Sequence, residues 1–127
     1  MDEKIKNHGF ISWSELMTTD ADAAKKFYGE LFGWTFDDMP TDEMVYSVVM
    51  ANGDAIGGIM PMPEDAPPMP PCWGIYVTVD KVDEVAEKAS SLGANILVPP
   101  RDIPNVGRFA VIQDPQGAFI SFITYTN

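Results

Sequence analysis

Cysteine, histidine and basic residues are all scarce in this chain. Cys72 is the single cysteine and His8 the single histidine among 127 residues. One cysteine cannot form a disulfide within the chain, and a reducing cytoplasm is the expected location. Lysine and arginine total 8 against 19 acidic residues, which gives a net charge of −11. We therefore expect neither nucleic acid nor an anionic membrane as a partner, because both require a basic surface.

Long apolar runs are also absent from the sequence. No stretch approaches the length of a membrane-spanning helix, and no basic-then-apolar signal opens the chain. Hydrophobic residues nevertheless make up 46% of the chain, an ordinary proportion for a globular protein with a packed core. The length fits one domain over residues 1–127.

A repeated order of elements is the most informative feature that is present. Helices are predicted over residues 21–32 and 81–92, because apolar residues recur there at helical spacing. Each predicted helix follows an aspartate N-cap and stops at a glycine, with the same separation in both halves. These pairs are Asp20 with Gly33 and Asp80 with Gly93.

Eight strands are predicted around the two helices. They span residues 10–17, 34–36, 44–50, 55–60, 73–79, 95–98, 108–113 and 119–125. An acidic turn is expected over 37–43, a hairpin at Asn52-Gly53 and a tight turn at Asp114–Gly117. The sequence thus predicts an α+β fold of two βαβββ modules, about 8–62 and 72–127.

A proline-rich segment, residues 61–71, separates the modules and is expected to be a stiff connector. The two modules are expected to form a cupped mixed sheet with the helices on its outer face, since each helix has one apolar stripe. The other face of the sheet would then surround a cavity.

The motifs and their order resemble the vicinal oxygen chelate superfamily of glyoxalase, bleomycin-resistance and dioxygenase-like proteins. The similarity covers about residues 10–125. It is carried by Thr19-Asp20, Phe27-Tyr28, Leu31-Phe32-Gly33-Trp34, Val79-Asp80, Leu92-Gly93 and Asp114-Pro115-Gln116-Gly117. The resemblance implies paired βαβββ modules around a substrate cavity.

The resemblance also implies four metal-ligand positions on the inner face of metal-dependent members. Carried over, they fall on Trp13, near Gly58, on Gly74 and on Ser121. Moving a strand by two residues adds one acid, Glu15. Tryptophan, glycine and neutral serine are poor ligands for a divalent ion, so we expect no metal and no other cofactor.

Five residues are candidates for the site. Glu15 is the one acid expected on the inner face of the first strand, where it is either a general base or a structural acid. Trp13 and Tyr76 either stack against a planar ligand or fill space. Arg108 either holds a ligand anion or pairs with a neighbouring acid. Ser121 is expected on the inner face of the last strand.

These residues favour a glyoxalase-like protein that binds a small, partly apolar molecule in the sheet cup without a catalytic metal. The alternative is a lyase, isomerase or dioxygenase-type enzyme that uses Glu15 or a metal site placed elsewhere. An accessory domain acting through a partner chain is a third possibility. A homodimer is expected, because open sheet edges and apolar surface favour symmetric pairing.

Overall fold

A computed structural model describes residues 3–64 and 69–126 of the chain. It has an α+β fold in which the βαβββ order occurs twice, as predicted. The elements are β1 (Ile11–Thr18), α1 (Ala21–Phe32), β2 (Thr35–Pro40), β3 (Val45–Ala51), β4 (Asp54–Pro61), β5 (Cys72–Thr78), α2 (Val82–Ser91), β6 (Asn95–Ile103), β7 (Gly107–Gln113) and β8 (Phe119–Tyr125). These elements are divided between two compact units.

The first unit comprises Ser14–Gly74. Its strands lie in the order β2-β3-β4-β1, with β4 and β1 parallel and the other pairs antiparallel. A core of Leu16, Val49 and Ile59 packs against Ala24 and Tyr28 of α1. The helix therefore covers one side of this sheet.

The second unit comprises residues up to Trp13 together with Ile75 onward. Its strand order is β5-β8-β7-β6, with β5 and β8 parallel. The neighbouring pairs β7–β8 and β6–β7 are antiparallel. Here α2 packs Val82 and Ala86 onto Ala110 and Phe122. In each unit, we call the side of the sheet that lies away from the helix its distal face.

The N-terminal residues belong to the second unit, whereas the sequence assigned them to the first module. Thr78 explains much of this, because its backbone exchanges hydrogen bonds with Gly9 and Phe10. The Thr78 hydroxyl also donates to the Ile5 carbonyl. Ser12 at the start of β1 also contacts the second half, because its hydroxyl lies 2.7 Å from that of Tyr125 on β8. The sequence could not show that these early residues contact the second half.

The helix predictions are confirmed with one correction. Asp20 caps α1, since its carboxylate accepts a hydrogen bond of 3.0 Å from the Ala23 amide. The prediction that Asp80 caps α2 is wrong: Lys81 is the N-cap residue and makes no side-chain cap bond. The Asp80 amide instead donates to Nδ1 of His8, at 3.0 Å. The backbone amide of Asp80, just before the N-cap residue Lys81, is therefore hydrogen-bonded to His8.

Two strands extend at least three residues beyond their predicted ends. β2 runs to Pro40 through residues expected in an acidic turn, and Asp38 on it bonds Ser47 and Lys25 at 2.6 and 3.1 Å. β6 continues to Ile103 rather than ending at Pro99-Pro100. Both lie at the edge of their unit's strand order, where proline is tolerated because one side of the strand needs no partner. The β6–β7 register shifts across the prolines.

Candidate functional site

The distal face of the first unit contains the buried acid that the sequence singled out. Glu15 pairs in register with Gly58 of β4, which in turn pairs with Val48 of β3. Residues that pair directly across strands point to the same side, and the neighbouring Leu16 and Val49 point toward α1. Glu15 therefore lies on the distal face, and 7% of it is exposed.

Tyr46 holds Glu15 in place on this face. Its hydroxyl donates a hydrogen bond of 2.7 Å to Oε2 of Glu15. Gly58 makes the contact possible, because a Cβ atom at this residue would lie 1.8 Å from the Tyr46 hydroxyl. The tyrosine thus occupies the space that any side chain at position 58 would need. A hydroxyl–carboxylate bond of this kind is among the stronger hydrogen bonds in proteins.

The distal face of the second unit brings together two of the predicted site residues. Tyr76 pairs in register with Ser121, and both are buried. Phe109 lies on the same face, since it pairs with Ile123, two residues beyond Ser121. The Tyr76 and Phe109 rings are 6.4 Å apart between centroids. Aromatic rings and the hydroxyl groups of Tyr76 and Ser121 therefore share this surface.

Arg101, rather than Arg108, lies on that distal face. Arg101 pairs in register with Phe109, and its guanidinium carbon is 5.9 Å from the centroid of the Phe109 ring. Arg108 is next to Phe109 in sequence and therefore points to the side of α2. There it binds Asp83 and Asp102, with shortest contacts of 3.0 and 3.1 Å, and these hydrogen bonds raise the pKa of Arg108.

The expectation that Arg108 holds a ligand does not fit this placement, and the alternative of pairing with acids describes what the structure shows. Sequence reasoning missed Tyr46, Phe109 and Arg101 as site residues. A signal existed for Arg101, since it is one of two arginines in the sequence. Which arginine faces away from the helix depends on the β6–β7 register, which shifts at the prolines and cannot be read from the sequence.

Three other residues of interest are Trp13, the single histidine and the single cysteine. Trp13 is half-buried in β1 and belongs to the unit that contains Tyr76 and Ser121. His8 is exposed and accepts the hydrogen bond from Asp80. Cys72 is half-buried at the start of β5.

The family model that describes the glyoxalase/bleomycin resistance protein/dioxygenase superfamily matches residues 10–122. The chain belongs to this superfamily. A relative in Mycobacterium bovis, named "Putative glyoxylase CFP32", is 46% identical over 115 residues, which are 88% of this chain and 44% of the relative. The anthracycline biosynthesis protein DnrV of Streptomyces peucetius is 27% identical, over 87% of this chain and 45% of DnrV. The chain thus spans about half the length of these curated relatives.

Solved structures of other proteins show the same fold. Methylmalonyl-CoA epimerase of Streptomyces coelicolor, in complex with 2-nitronate-propionyl-CoA, has a TM-score of 0.68 and 18% identity. The match covers 95% of this chain and 100% of the epimerase. The epimerase of Mycobacterium tuberculosis has a TM-score of 0.66 and 16% identity, over 94% of this chain and 89% of the other. At these identities the likeness concerns the fold alone.

In this chain, the side chains at the metal-ligand positions of the superfamily's metal-dependent members do not fit a divalent ion. The carried-over positions supply an indole, two glycines and one hydroxyl, at Trp13, Gly58, Gly74 and Ser121. Divalent ions require several imidazole, thiolate or carboxylate donors. Over residues 3–64 and 69–126, no group of three or more His, Cys, Asp or Glu side chains is placed to hold a metal.

A cleft of about 370 Å³ opens on the helix side of the first unit. Its walls are mostly apolar, and they include Leu16, Ala24, Phe27, Tyr28 and Trp73. The Trp73 indole donates a hydrogen bond of 3.1 Å to the Tyr28 hydroxyl. This cleft lies away from Glu15, on the opposite side of the same sheet. Among residues 3–64 and 69–126, no helix is long and apolar enough to cross a membrane.

Proposed function

We propose that this protein binds a small, partly apolar molecule at the distal faces of its sheets, without the superfamily's catalytic metal. The observation that carries the proposal is the Glu15–Tyr46 pair. A buried carboxyl group is costly unless hydrogen bonds compensate it, and here it lies on a face whose paired strand positions are Gly58 and Val48. A few placed polar groups on an otherwise apolar surface are typical of small-molecule sites.

The distal face of the second unit, taken by itself, also carries groups suited to a small ligand. The Tyr76 and Phe109 rings offer apolar contact area, and Ser121 offers a hydroxyl on the same face. The names of the relatives support a ligand with a flat or acyl portion. They include anthracycline biosynthesis proteins and an epimerase bound to a propionyl-CoA analogue. Trp13 remains a proposed ligand contact.

The test combines native mass spectrometry of the purified protein with a thermal-shift panel that contains an anthraquinone and propionyl-CoA. We expect a retained small molecule or a stabilising probe. Glu15→Gln and Tyr46→Phe should then weaken binding about tenfold, the effect of one hydrogen bond to a charged group. Tyr28→Phe is the matched control, because it removes a hydrogen-bonded tyrosine hydroxyl on the helix side of the same unit, outside the proposed site. No retained mass and no stabilising probe would contradict the proposal.

A second candidate is an enzyme of the lyase, isomerase or dioxygenase type. Glu15 favours it, because a buried carboxyl group held by Tyr46 is oriented as a general base must be. Turnover of a bound ligand by the wild type that Glu15→Gln abolishes, while binding persists, would support this candidate over binding alone. Turnover that survives in Glu15→Gln would rule out Glu15 as the base.

The metal-free part of the proposal has its own experiment. Elemental analysis of protein purified without chelator, followed by titration with zinc, nickel, manganese and iron(II), should show no stoichiometric metal. Stoichiometric retention of any of these ions, or activity restored by one of them, would overturn it. We also propose a cytoplasmic location, on the basis of the single Cys72.

We further propose that the protein is a homodimer. The outer surface of α1 supports this, because Phe27, Leu31 and Phe32 are 59%, 57% and 57% exposed. Large apolar side chains exposed next to one another often mark a protein–protein interface. We call these three residues the α1 patch.

Light scattering at micromolar concentration should give twice the chain mass of 14.0 kDa. The double variant Phe27→Ser/Phe32→Ser should shift the protein toward monomer. Leu92→Ser is the control, because Leu92 is 68% exposed but lies at the end of the other helix. A monomeric wild type would refute the dimer, and an unchanged dimer in the double variant would remove the α1 patch from it.

A further inference from the structure

The two arginines of the chain have opposite electrostatic surroundings. Arg108 is held by Asp83 and Asp102. Arg101 is exposed and lies over the Phe109 ring, and no carboxylate in the described part of the chain pairs with it. Because acids outnumber basic residues 19 to 8, an arginine on a site face that lacks an acidic partner is a distinctive feature of this chain.

The guanidinium of Arg101 is available to bind an anion, because its contact with Phe109 is a cation–π contact at 5.9 Å from the ring centroid. The N–H groups of a guanidinium lie in its plane and point outward along its edge. These donors match the two oxygens of a carboxylate.

The same face supplies groups for the rest of such a ligand. Tyr76 lies 6.4 Å from Phe109 between ring centroids, and Ser121 pairs with Tyr76 in register. Tyr76 and Ser121 are buried, whereas Phe109 is half-buried and Arg101 exposed. The accessible part of this surface is therefore a positive charge beside an aromatic ring.

We propose that Arg101 and Phe109 form the anion-binding part of a ligand site on the distal face of the second unit and select a flat, apolar molecule that carries a carboxylate. This inference rests on the proposed ligand-binding function and names the chemical class of the ligand. The carboxylate bonds the edge of the Arg101 guanidinium, and the apolar portion lies against Phe109.

The test compares two probes of the same shape, 1-naphthoate and its neutral amide 1-naphthamide. Their dissociation constants are measured by ligand-observed NMR in low-salt buffer. We expect the wild type to prefer naphthoate about fivefold, which corresponds to about 1 kcal/mol, the upper range for a solvent-exposed ion pair. Added sodium chloride should reduce the preference, because salt screens exposed charges.

Arg101→Gln should abolish the preference by weakening naphthoate binding to the level of naphthamide. Arg108→Gln is the matched control, since it removes the same charge from the neighbouring strand but lies on the side of α2. It should retain the preference. Both variants should fold, as judged by circular dichroism, because each arginine has an accessible side chain.

Each result decides between distinct statements. Equal binding of the two probes would overturn the anionic class and leave the proposed function standing. A preference that survives in Arg101→Gln, or that disappears in Arg108→Gln as well, would overturn the assignment to Arg101. Binding of neither probe would overturn this inference, whereas a thermal shift with propionyl-CoA or a retained mass would still support the proposed function.

Discussion

Substituting Gly58 by alanine tests the local architecture on which the proposed site depends. An ideal Cβ atom at this position would lie 1.8, 2.2 and 2.6 Å from Oη, Cζ and Cε1 of Tyr46. Contacts below 3.0 Å require something to move. The ring must therefore leave its position, and its hydrogen bond to Glu15 must break.

The expected cost has two contributions. Overpacking a folded interior costs about 1–3 kcal/mol, and loss of a hydrogen bond to a charged group costs about 1.5–3 kcal/mol. Tyr46 is half-buried and can turn partly toward solvent, which relieves some of the overpacking. We therefore expect Gly58→Ala to lower the free energy of unfolding by about 2–4 kcal/mol.

A double-mutant cycle assigns this cost to the tyrosine. In a Tyr46→Ala background the clashing ring is absent, and Gly58→Ala should cost less than about 0.5 kcal/mol or be stabilising, because alanine is preferred to glycine within strands. Urea unfolding monitored by circular dichroism measures all four proteins.

Gly57→Ala provides the neighbouring control. Its Cβ would lie 2.5 Å from the backbone oxygen of Ser14, so its cost should be the same in both backgrounds. If Gly58→Ala proves neutral in the wild type, or equally costly with and without Tyr46, then the ring does not occupy the space above Gly58 and the positioning of Glu15 by Tyr46 is wrong.

Two further predictions concern stability. Asp20→Ala should destabilise the protein by about 1 kcal/mol in urea unfolding, because it removes the cap on the Ala23 amide; an unchanged midpoint would contradict this. Hydrogen bonds from Ser47 and then Lys25 hold the pKa of Asp38 below its ordinary value of 3.8. The stabilisation from ionised Asp38 should therefore be complete above pH 3.8 and be lost as the pH falls below it. Asp38→Asn should lower the free energy of unfolding by less than about 1 kcal/mol near neutral pH, and this difference from the wild type should shrink in acid. A difference that does not change with pH would contradict the prediction.

Local signals in the sequence predicted much of the fold. The bounds of α1 and β8 are those predicted, residues 21–32 and 119–125. The Asn52-Gly53 hairpin is confirmed by positive φ angles of 52° and 84°. These features depend on residues close in sequence, such as a cap, an apolar stripe or a turn glycine, and the local chemistry is sufficient to define them.

Contacts between distant residues account for what the sequence did not predict. The shift of the N-terminal residues to the second unit depends on Thr78, far along the chain. The position of Glu15 on its face followed from strand alternation, but its partner Tyr46 did not, because that contact needs the β3–β4 register and the space above Gly58. Arg101 lies beyond the strand predicted over 95–98, so the sequence assigned it to no face, whereas β6 continues to Ile103 and pairs Arg101 with Phe109.

Gly58 lies near a metal-ligand position of the metal-dependent members and also next to the Glu15–Tyr46 pair of the proposed site. The resemblance places a ligand of metal-dependent members near this position, where glycine offers no donor. In this chain the space for a side chain at 58 holds the Tyr46 hydroxyl, and that hydroxyl donates to Glu15, the one acid that a two-residue shift would add to the ligand set. A metal-binding side chain introduced at position 58 would therefore displace Tyr46 and leave Glu15 without this hydrogen bond. A metal-competent arrangement would require changes at Gly58 and Tyr46 together, so neither substitution alone should create one.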